Sequence, residues 1–529
     1  MRLKQIARTA ARRPTWSAAA ALPAAPVVAI VLPFDGPGLR AAVTVGALGL
    51  LTAFVHLRLQ RALDRARAAA VEPEPRRSSR GSRRSGQPPA KRLRELESWE
   101  NRLKYGWSAT AGAALREIAE SRNEHAECRV KAMAALCEHR AKLGRVRRAE
   151  GRTLEVDIAV VSTLNLRGGT TSANEAEILA YLSAGLKVAL VHHPVRDRAM
   201  GRPVDPRLRT LIDGEHVIEV HPEDTVRCDL AIVRFPVALA NIMDDRPRID
   251  AARTVLLVNQ TPFEEYGLTG GYGTAWSIRD VHRNVTEWLG PHTWYAIGPA
   301  VRDVLREHHA DELAEIDLAD DFWYETIDIV DWTVRPRRTR AQGDPIRIGR
   351  HSRDHVTKFP NMAQRLRAAY PDAADMEVHV LGGHEALLQI LGAIPPRWTS
   401  HPFGTKSAVE FLAEVDVYVY FIDENLAEAF GRAPLEAMAA GVPCILQPSF
   451  AELFGDGALY CEPDEVEAHV RRFMDDPVHY AERSAAGLRT VHERFSPEAL
   501  LRRVSGLGVT VEPRPEAAEA AALSLGGAR

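Results

Sequence analysis

The sequence predicts an α/β protein with two doubly wound, Rossmann-like domains behind an N-terminal helical region. Three observations lead there. Val156 to Ser162 is a buried-strand run that enters a glycine loop, Asn165 to Ser172, and then a helical stretch from Ala173 to Ala184. Further strand runs follow at Lys187–Val191, Leu230–Val233 and Val255–Val258, and a second series includes Ile346–Gly349, Met376–Leu381, Val415–Phe421 and Cys444–Leu446. Strands alternating with helices are the pattern of parallel sheets covered on both faces. At 529 residues and 46% hydrophobic composition, the chain can bury two large cores.

From the N-terminus, residues 1–70 read as a membrane hairpin. Trp16 to Leu32 and Ala41 to Val55 carry no charge and are separated by Pro33-Phe34-Asp35-Gly36-Pro37-Gly38. Arginines and a lysine precede the first span, and Arg58, Arg61, Arg65 and Arg67 follow the second, which places both ends in the cytoplasm. A signal peptide is the rival reading, since a basic start and an Ala-rich core also suit one. It leaves the second span unexplained. Residues 71–91 are rich in Arg, Ser, Pro and Gly, a composition that cannot bury a core, and form a basic disordered linker. Residues 92–150 read as a helical pair or small bundle, with Ala113, Ile118, Cys128 and Leu136 on apolar faces.

Residues 151–335 form the first α/β domain and 336–510 the second, with 511–529 a flexible tail. The net charge of -2 suggests no nucleic-acid partner, and five scattered cysteines without a C-x-x-C pair indicate neither a disulfide framework nor a zinc site.

In the second domain, Ile346 to Pro360 reads as a short strand that breaks at Gly349 into a polar loop carrying Arg350, Arg353 and Lys358. Met376 to Gly383 is a strand ending in the pair Gly382-Gly383. The stretch Glu428-Ala429-Phe430-Gly431-Arg432-Ala433-Pro434-Leu435-Glu436 then opens a helix, because Pro434 suits a first turn and Gly441 a C-terminal cap. Glu428 therefore precedes the helix and Glu436 lies in its first turns. The free N–H groups near Phe430, Gly431 and Arg432 can face a phosphate. Taken by themselves, the two acids could equally complement the positive helix end.

This stretch resembles the E-x7-E signature of retaining GT-B glycosyltransferases of family four, the group 1 transferases, down to the E-A-F-G and L-E-A-M-A-A-G-V-P segments. The resemblance covers about 346–496 well and the upstream half loosely. It implies two domains facing a cleft, with a nucleotide-diphosphate sugar as donor substrate and neither metal nor other cofactor. It implies that Glu428 approaches the donor sugar and Glu436 the ribose. Arg353 and Lys358, with Arg350 an equally good match for the arginine, would neutralise the leaving diphosphate. Gly382 and Gly383 would approach the nucleotide, although a plain tight turn explains them as well. Gly168 and Gly169 would face the acceptor. The family's supporting histidine has no counterpart at Leu257-Val258-Asn259-Gln260-Thr261-Pro262, and His192 and His193 are weak substitutes.

The expected function is transfer of a sugar to a cell-envelope or exopolysaccharide acceptor, glycan or lipid-linked, at the cytoplasmic face of the inner membrane. The alternatives are a non-catalytic, membrane-tethered nucleotide-sugar-binding protein and a GT-B phosphorylase or epimerase.

Overall fold

A computed structural model of the chain describes residues 88, 90–146, 151–267, 270–341 and 343–511, all within one unit, Gln87–Arg529. The expected hairpin over 1–70, nearly all of the linker and the tail after Val511 lie outside the described residues. Among those described, no helix is long and apolar enough to cross a membrane.

The helical segment is a three-helix bundle: α1 (Ala90–Lys104), α2 (Ser108–Glu120) and α3 (Ala126–Val146). It begins at Ala90, two residues earlier than the expected boundary. Leu96, Leu103, Leu115, Ile118 and Cys128 make its own small core.

The first domain contains β1 (Thr153–Ser162), α4 (Gly169–Ser183), β2 (Val188–His192), β3 (Val217–Glu219), β4 (Thr225–Arg234) and β5 (Arg248–Val258). An antiparallel hairpin follows, β6 (Phe263–Gly267) with β7 (Gly270–Thr274), and then α5 (Ile278–Leu289), β8 (Thr293–Ala296) and α6 (Pro299–His308). The parallel sheet has the order β3-β2-β1-β4-β5-β8. Its central strands are covered on both faces, so Leu230, Ala231, Ile232 and Val233 are all buried, which is why they read as a continuous apolar run.

The second domain repeats the plan. Strands β9 (Ile346–His351), β10 (Met376–Gly382), β11 (Trp398–Pro402), β12 (Val417–Tyr420), β13 (Cys444–Leu446) and β14 (Leu459–Tyr460) pair in parallel in the order β11-β10-β9-β12-β13-β14. Helix α7 (Arg432–Ala439) joins β12 to β13. In each sheet the strand order reverses beside the first strand, between β1 and β4 and between β9 and β12. Ligands of open α/β sheets bind beyond the carboxyl ends at such a point.

One boundary differs from the expectation. The last helix, α8 (Pro497–Gly506), was expected to close the second domain, but Leu500, Val504 and Val509 pack with Ile178, Tyr181 and Ile232 in the first domain's core. Ser496 caps it, its hydroxyl accepting from Ala499 N–H at 3.2 Å, and Pro497 occupies the first turn. These local signals set where the helix starts and are silent about which domain receives it. The turn leading into it, Val491–Phe495, packs Phe495 against Tyr324, Phe430 and Phe454.

Candidate active site

The carboxyl ends of β9 and β12 place four charged groups together. Lys358 ends a short helical turn after β9, and its ammonium pairs with Glu428 from the loop after β12. The Tyr420 hydroxyl lies 3.5 Å from Glu428 Oε2. Burial, followed by the Glu428 charge, holds that phenol well above its usual range, so it stays a donor. The backbone joins the two loops as well, because Asp423 N–H donates to Thr357 O at 3.2 Å.

Glu436 lies at the next step. Its Oε2 is 2.8 Å from His351 Nε2, and its Oε1 accepts from Arg432 Nε at 3.1 Å. Burial works to raise this carboxyl, but the His351 hydrogen bond and the Arg432 charge outweigh it and hold it below its ordinary value. Arg432 also reaches the segment between the domains, donating to Thr326 O at 3.0 Å and to Glu325 Oε2 at 3.4 Å. Glu325 is pushed up, first by burial. Gly431 precedes α7 at φ +83°, where a Cβ would lie 2.9 Å from Phe450, so the turn into the helix needs glycine. Phe430 sends its side chain into the aromatic cluster between the domains, leaving only its backbone for a ligand.

Arg350 takes a different place from that expected. It is fully buried and donates to Tyr370 OH at 3.1 Å, Phe421 O at 3.2 Å, Ser352 Oγ at 3.3 Å and the carbonyl of Lys358. Its guanidinium stacks 3.9 Å from the Phe359 ring centroid. With both terminal nitrogens engaged and the whole side chain buried, it braces the loop that carries Lys358 and does not reach a diphosphate, although its buried Nε is left without a partner. Arg353 is the exposed arginine, and its side chain has no hydrogen bond or ion pair among the described residues.

Gly382 and Gly383 have φ of +132° and +136°. A Cβ at Gly382 would sit 1.9 Å from Ser352 O, and one at Gly383 would sit 2.2 Å from Asp354 Oδ2. Close approach of the 352–354 loop therefore demands both glycines. Asp354 in turn accepts from the N–H groups of Glu385 and Ala386, each at 2.9 Å.

Across the cleft, Gly168 and Gly169 are exposed, and a Cβ at either would meet nothing. Asn259, at the end of β5, donates from Nδ2 to Thr170 Oγ1 at 3.4 Å. His192 and His193 are packing residues. His192 Nδ1 accepts from Leu164 N–H and His193 Nε2 from Met243 N–H, both at 3.1 Å. Burial drops His192 to about 4 and His193 to about 3, so both stay neutral near pH 7. A cavity of 250 Å³ between the domains is lined by Pro299 and Ala300 on one side and by Ile422, Glu428 and Phe450 on the other. Gly298 lies against the carbonyl of Ala429, where a Cβ would approach to 3.3 Å.

His351, Tyr420 and Glu325 were missed as site residues. His351 directly follows Gly349-Arg350 at a strand end, which was the available signal. The other two are brought in by the chain path alone.

Two doubly wound domains, an aromatic seam between them and a last helix returning to the first define a GT-B type architecture. Residues 346–476 match the family described as glycosyl transferases group 1, the family that the Glu428–Glu436 stretch resembles. The comparison with curated proteins gives no significant match. Among solved structures, a glycosyltransferase from Rickettsia africae is similar at 13% identity and TM-score 0.45, over 68% of this chain and 98% of its own. An alpha-glucosyltransferase solved with UDP and a 13-mer DNA is similar at 12% identity and TM-score 0.45, over 67% of this chain and 99% of its own. A pneumococcal O-GlcNAc transferase solved with UDP and GlcNAc is similar at 14% identity and TM-score 0.36, over 54% and 57% of the two chains. At such distances, residue roles rest on this chain's own geometry.

Proposed function

We propose that the chain is a retaining glycosyltransferase that moves a sugar from a nucleoside-diphosphate sugar to a cell-envelope or exopolysaccharide acceptor at the cytoplasmic membrane face. The observation that carries this reading is the joining of Lys358 to Glu428 beside the His351–Glu436–Arg432 group, at the point where the second sheet reverses its strand order.

In this reading the donor diphosphate lies between the start of α7 and the Lys358 loop. The Lys358 ammonium and the exposed Arg353 neutralise charge as the glycosidic bond breaks, the task that an electrostatic clamp performs in phosphate-leaving reactions. No metal or other cofactor is assigned. Glu428 orients the donor sugar, and Lys358 holds its carboxylate in place until the substrate arrives. Glu436 accepts from the ribose hydroxyls, with His351 and Arg432 fixing its rotamer. The acceptor hydroxyl oxygen bonds to the anomeric carbon on the face the diphosphate leaves. The bonding pair departs with the diphosphate, whose oxygen takes the acceptor proton. This route needs no histidine from the first domain, which accords with the buried, neutral state of His192 and His193.

The cytoplasmic membrane face rests on the sequence pattern of residues 1–70 and on the place where nucleotide sugars are made. A thermal-shift screen of the full chain against UDP-, GDP- and ADP-sugars tests the donor. A ligand at a hundred times its dissociation constant stabilises by about 2.7 kcal/mol. Stabilisation by one of them, with turnover lost in Glu428→Gln, is expected. Turnover at the wild-type rate in that variant would refute the assigned site.

A further inference from the structure

The first domain's cleft edge is held in place from outside by the helical bundle, and it is charged. The loop after β2, residues 193–205, contains two non-glycine residues in the left-handed region, Asp197 at φ +64° and Ala199 at φ +51°. Such conformations persist where neighbours over-determine them, and here they do. Arg102 of α1 grips Asp197 through Nε and Nη2, at 2.8 and 2.7 Å, and Ser98 adds a bond at 3.3 Å. On the other side, Asn165 Nδ2 donates to Ala199 O at 2.9 Å and to Arg202 O at 3.3 Å, while Asp205 N–H donates to Leu164 O at 2.9 Å. The bundle, the loop after β2 and the glycine loop after β1 thus form one connected unit.

That unit displays Arg167, Arg198 and Arg202, all exposed, and none has a side-chain hydrogen bond or ion pair among the described residues. The acids that the loop after β2 carries are already paired. Asp197 is taken by Arg102, and Asp205 and Glu175 pair with Arg207. Three guanidinium groups without partners therefore stand on the two loops that follow β1 and β2, Arg167 directly before Gly168 and Gly169, and Arg198 and Arg202 on the loop that Asn165 ties to it. Guanidinium presents planar donors suited to phosphate oxygens.

We propose that these arginines recognise a phosphate-bearing acceptor, so that the acceptor's anionic group is read by the first domain while its hydroxyl meets the donor. This rests on the transferase reading above and specifies the acceptor class within it. A single-stranded nucleic acid is the other phosphate-rich partner, but it calls for exposed aromatic platforms. The only aromatic ring in the two loops is the buried His193, and the half-buried Tyr105 of the neighbouring bundle sets its hydroxyl against Gly201, so no exposed ring face is offered by the loops.

The test compares the full chain with an Arg198→Gln/Arg202→Gln double variant, whose side chains hold nothing in the fold. Three probes are titrated: glycerol 1-phosphate, phosphatidylglycerol vesicles with phosphatidylcholine vesicles as the control, and a single-stranded oligonucleotide. Binding of glycerol 1-phosphate or of the phosphatidylglycerol vesicles should weaken about tenfold or more in the variant, while the thermal shift given by the nucleotide sugar stays unchanged. Weakening with both probes identifies the phosphate group itself as the determinant, and weakening with the vesicles alone identifies a lipid-borne one. The proposal is overturned if the wild type binds neither phosphate probe, if the variant binds both as tightly as the wild type, or if only oligonucleotide binding falls. Absence of any nucleotide-sugar shift in the wild type would instead strike the transferase reading, leaving the phosphate result to be read separately.

Discussion

The two sheets share one strand order, yet their cleft edges are built in opposite ways. In the second domain, the loops after β9 and β12 are tied by a buried arginine, an ion pair and two glycines that only a close-packed loop requires. In the first domain, the glycine loop is open, its neighbouring histidines are neutral packing groups, and its charges are exposed arginines without partners. A donor of one fixed shape can be met by a site whose hydrogen bonds are already formed. The first domain's edge is held at its ends and left open at Gly168 and Gly169.

Breaking the donor half should have the largest effect. Glu428→Gln keeps the shape but removes the charge that Lys358 pairs with, and donor turnover measured at saturation should fall by about 10²–10³-fold, with nucleotide binding retained. Retained turnover would mean that the ion pair only closes the loop. Arg350→Met should act on the fold before it acts on chemistry. Losing four hydrogen bonds in a buried site should cost about 3 kcal/mol in urea unfolding, and donor affinity should fall with it because the Lys358 loop is released. Normal stability with lost donor binding would place Arg350 at the diphosphate after all.

The first domain can be probed through acid. His192 and His193 titrate near 4 and near 3 in the fold but near 6.5 when unfolded, so below about pH 6.5 the unfolded chain binds protons that the native chain does not. Stability should therefore fall on acidification from about pH 6.5 to 4, with each histidine adding up to about 1.4 kcal/mol per pH unit. Replacing His193 by Gln should flatten that slope when measured by urea unfolding at a series of pH values. The smallest effect is expected from Arg102→Gln. Its partly exposed pair with Asp197 contributes at most about 1 kcal/mol to stability, yet the acceptor KM should rise several-fold with kcat and donor binding unchanged. An unaltered KM would separate the bundle from the acceptor edge.

Much of the second domain's site was legible in the sequence because its signals are local. Pro434 and Gly441 frame a helix, Glu428 must precede it, and Lys358 follows a strand that breaks at Gly349. What remained hidden depends on which chain segments meet. Arg350 and Arg353 are three residues apart, but β9 runs on to His351, so the first ends a buried strand and packs against Phe359 while the second lies in the exposed loop beyond it. The same applies to Gly382 and Gly383, whose need for glycine comes from the carbonyl of Ser352 and the carboxylate of Asp354, some thirty residues away.

By itself, the sequence determined the two αβ units, the helical segment ahead of them and the pair of acids at the start of α7, because periodicity, caps and turn residues act within a few residues of where they are written. Only the tertiary structure decided that α8 returns to the first domain, that His351 and Arg432 share Glu436, that Arg350 serves the loop, and that Arg102 braces the loop after β2. Apart from the Arg432–Glu436 pair within α7 and the bonds Arg350 makes to its own loop, these are contacts between segments far apart in the chain, settled by which apolar faces and buried charges had to be covered together.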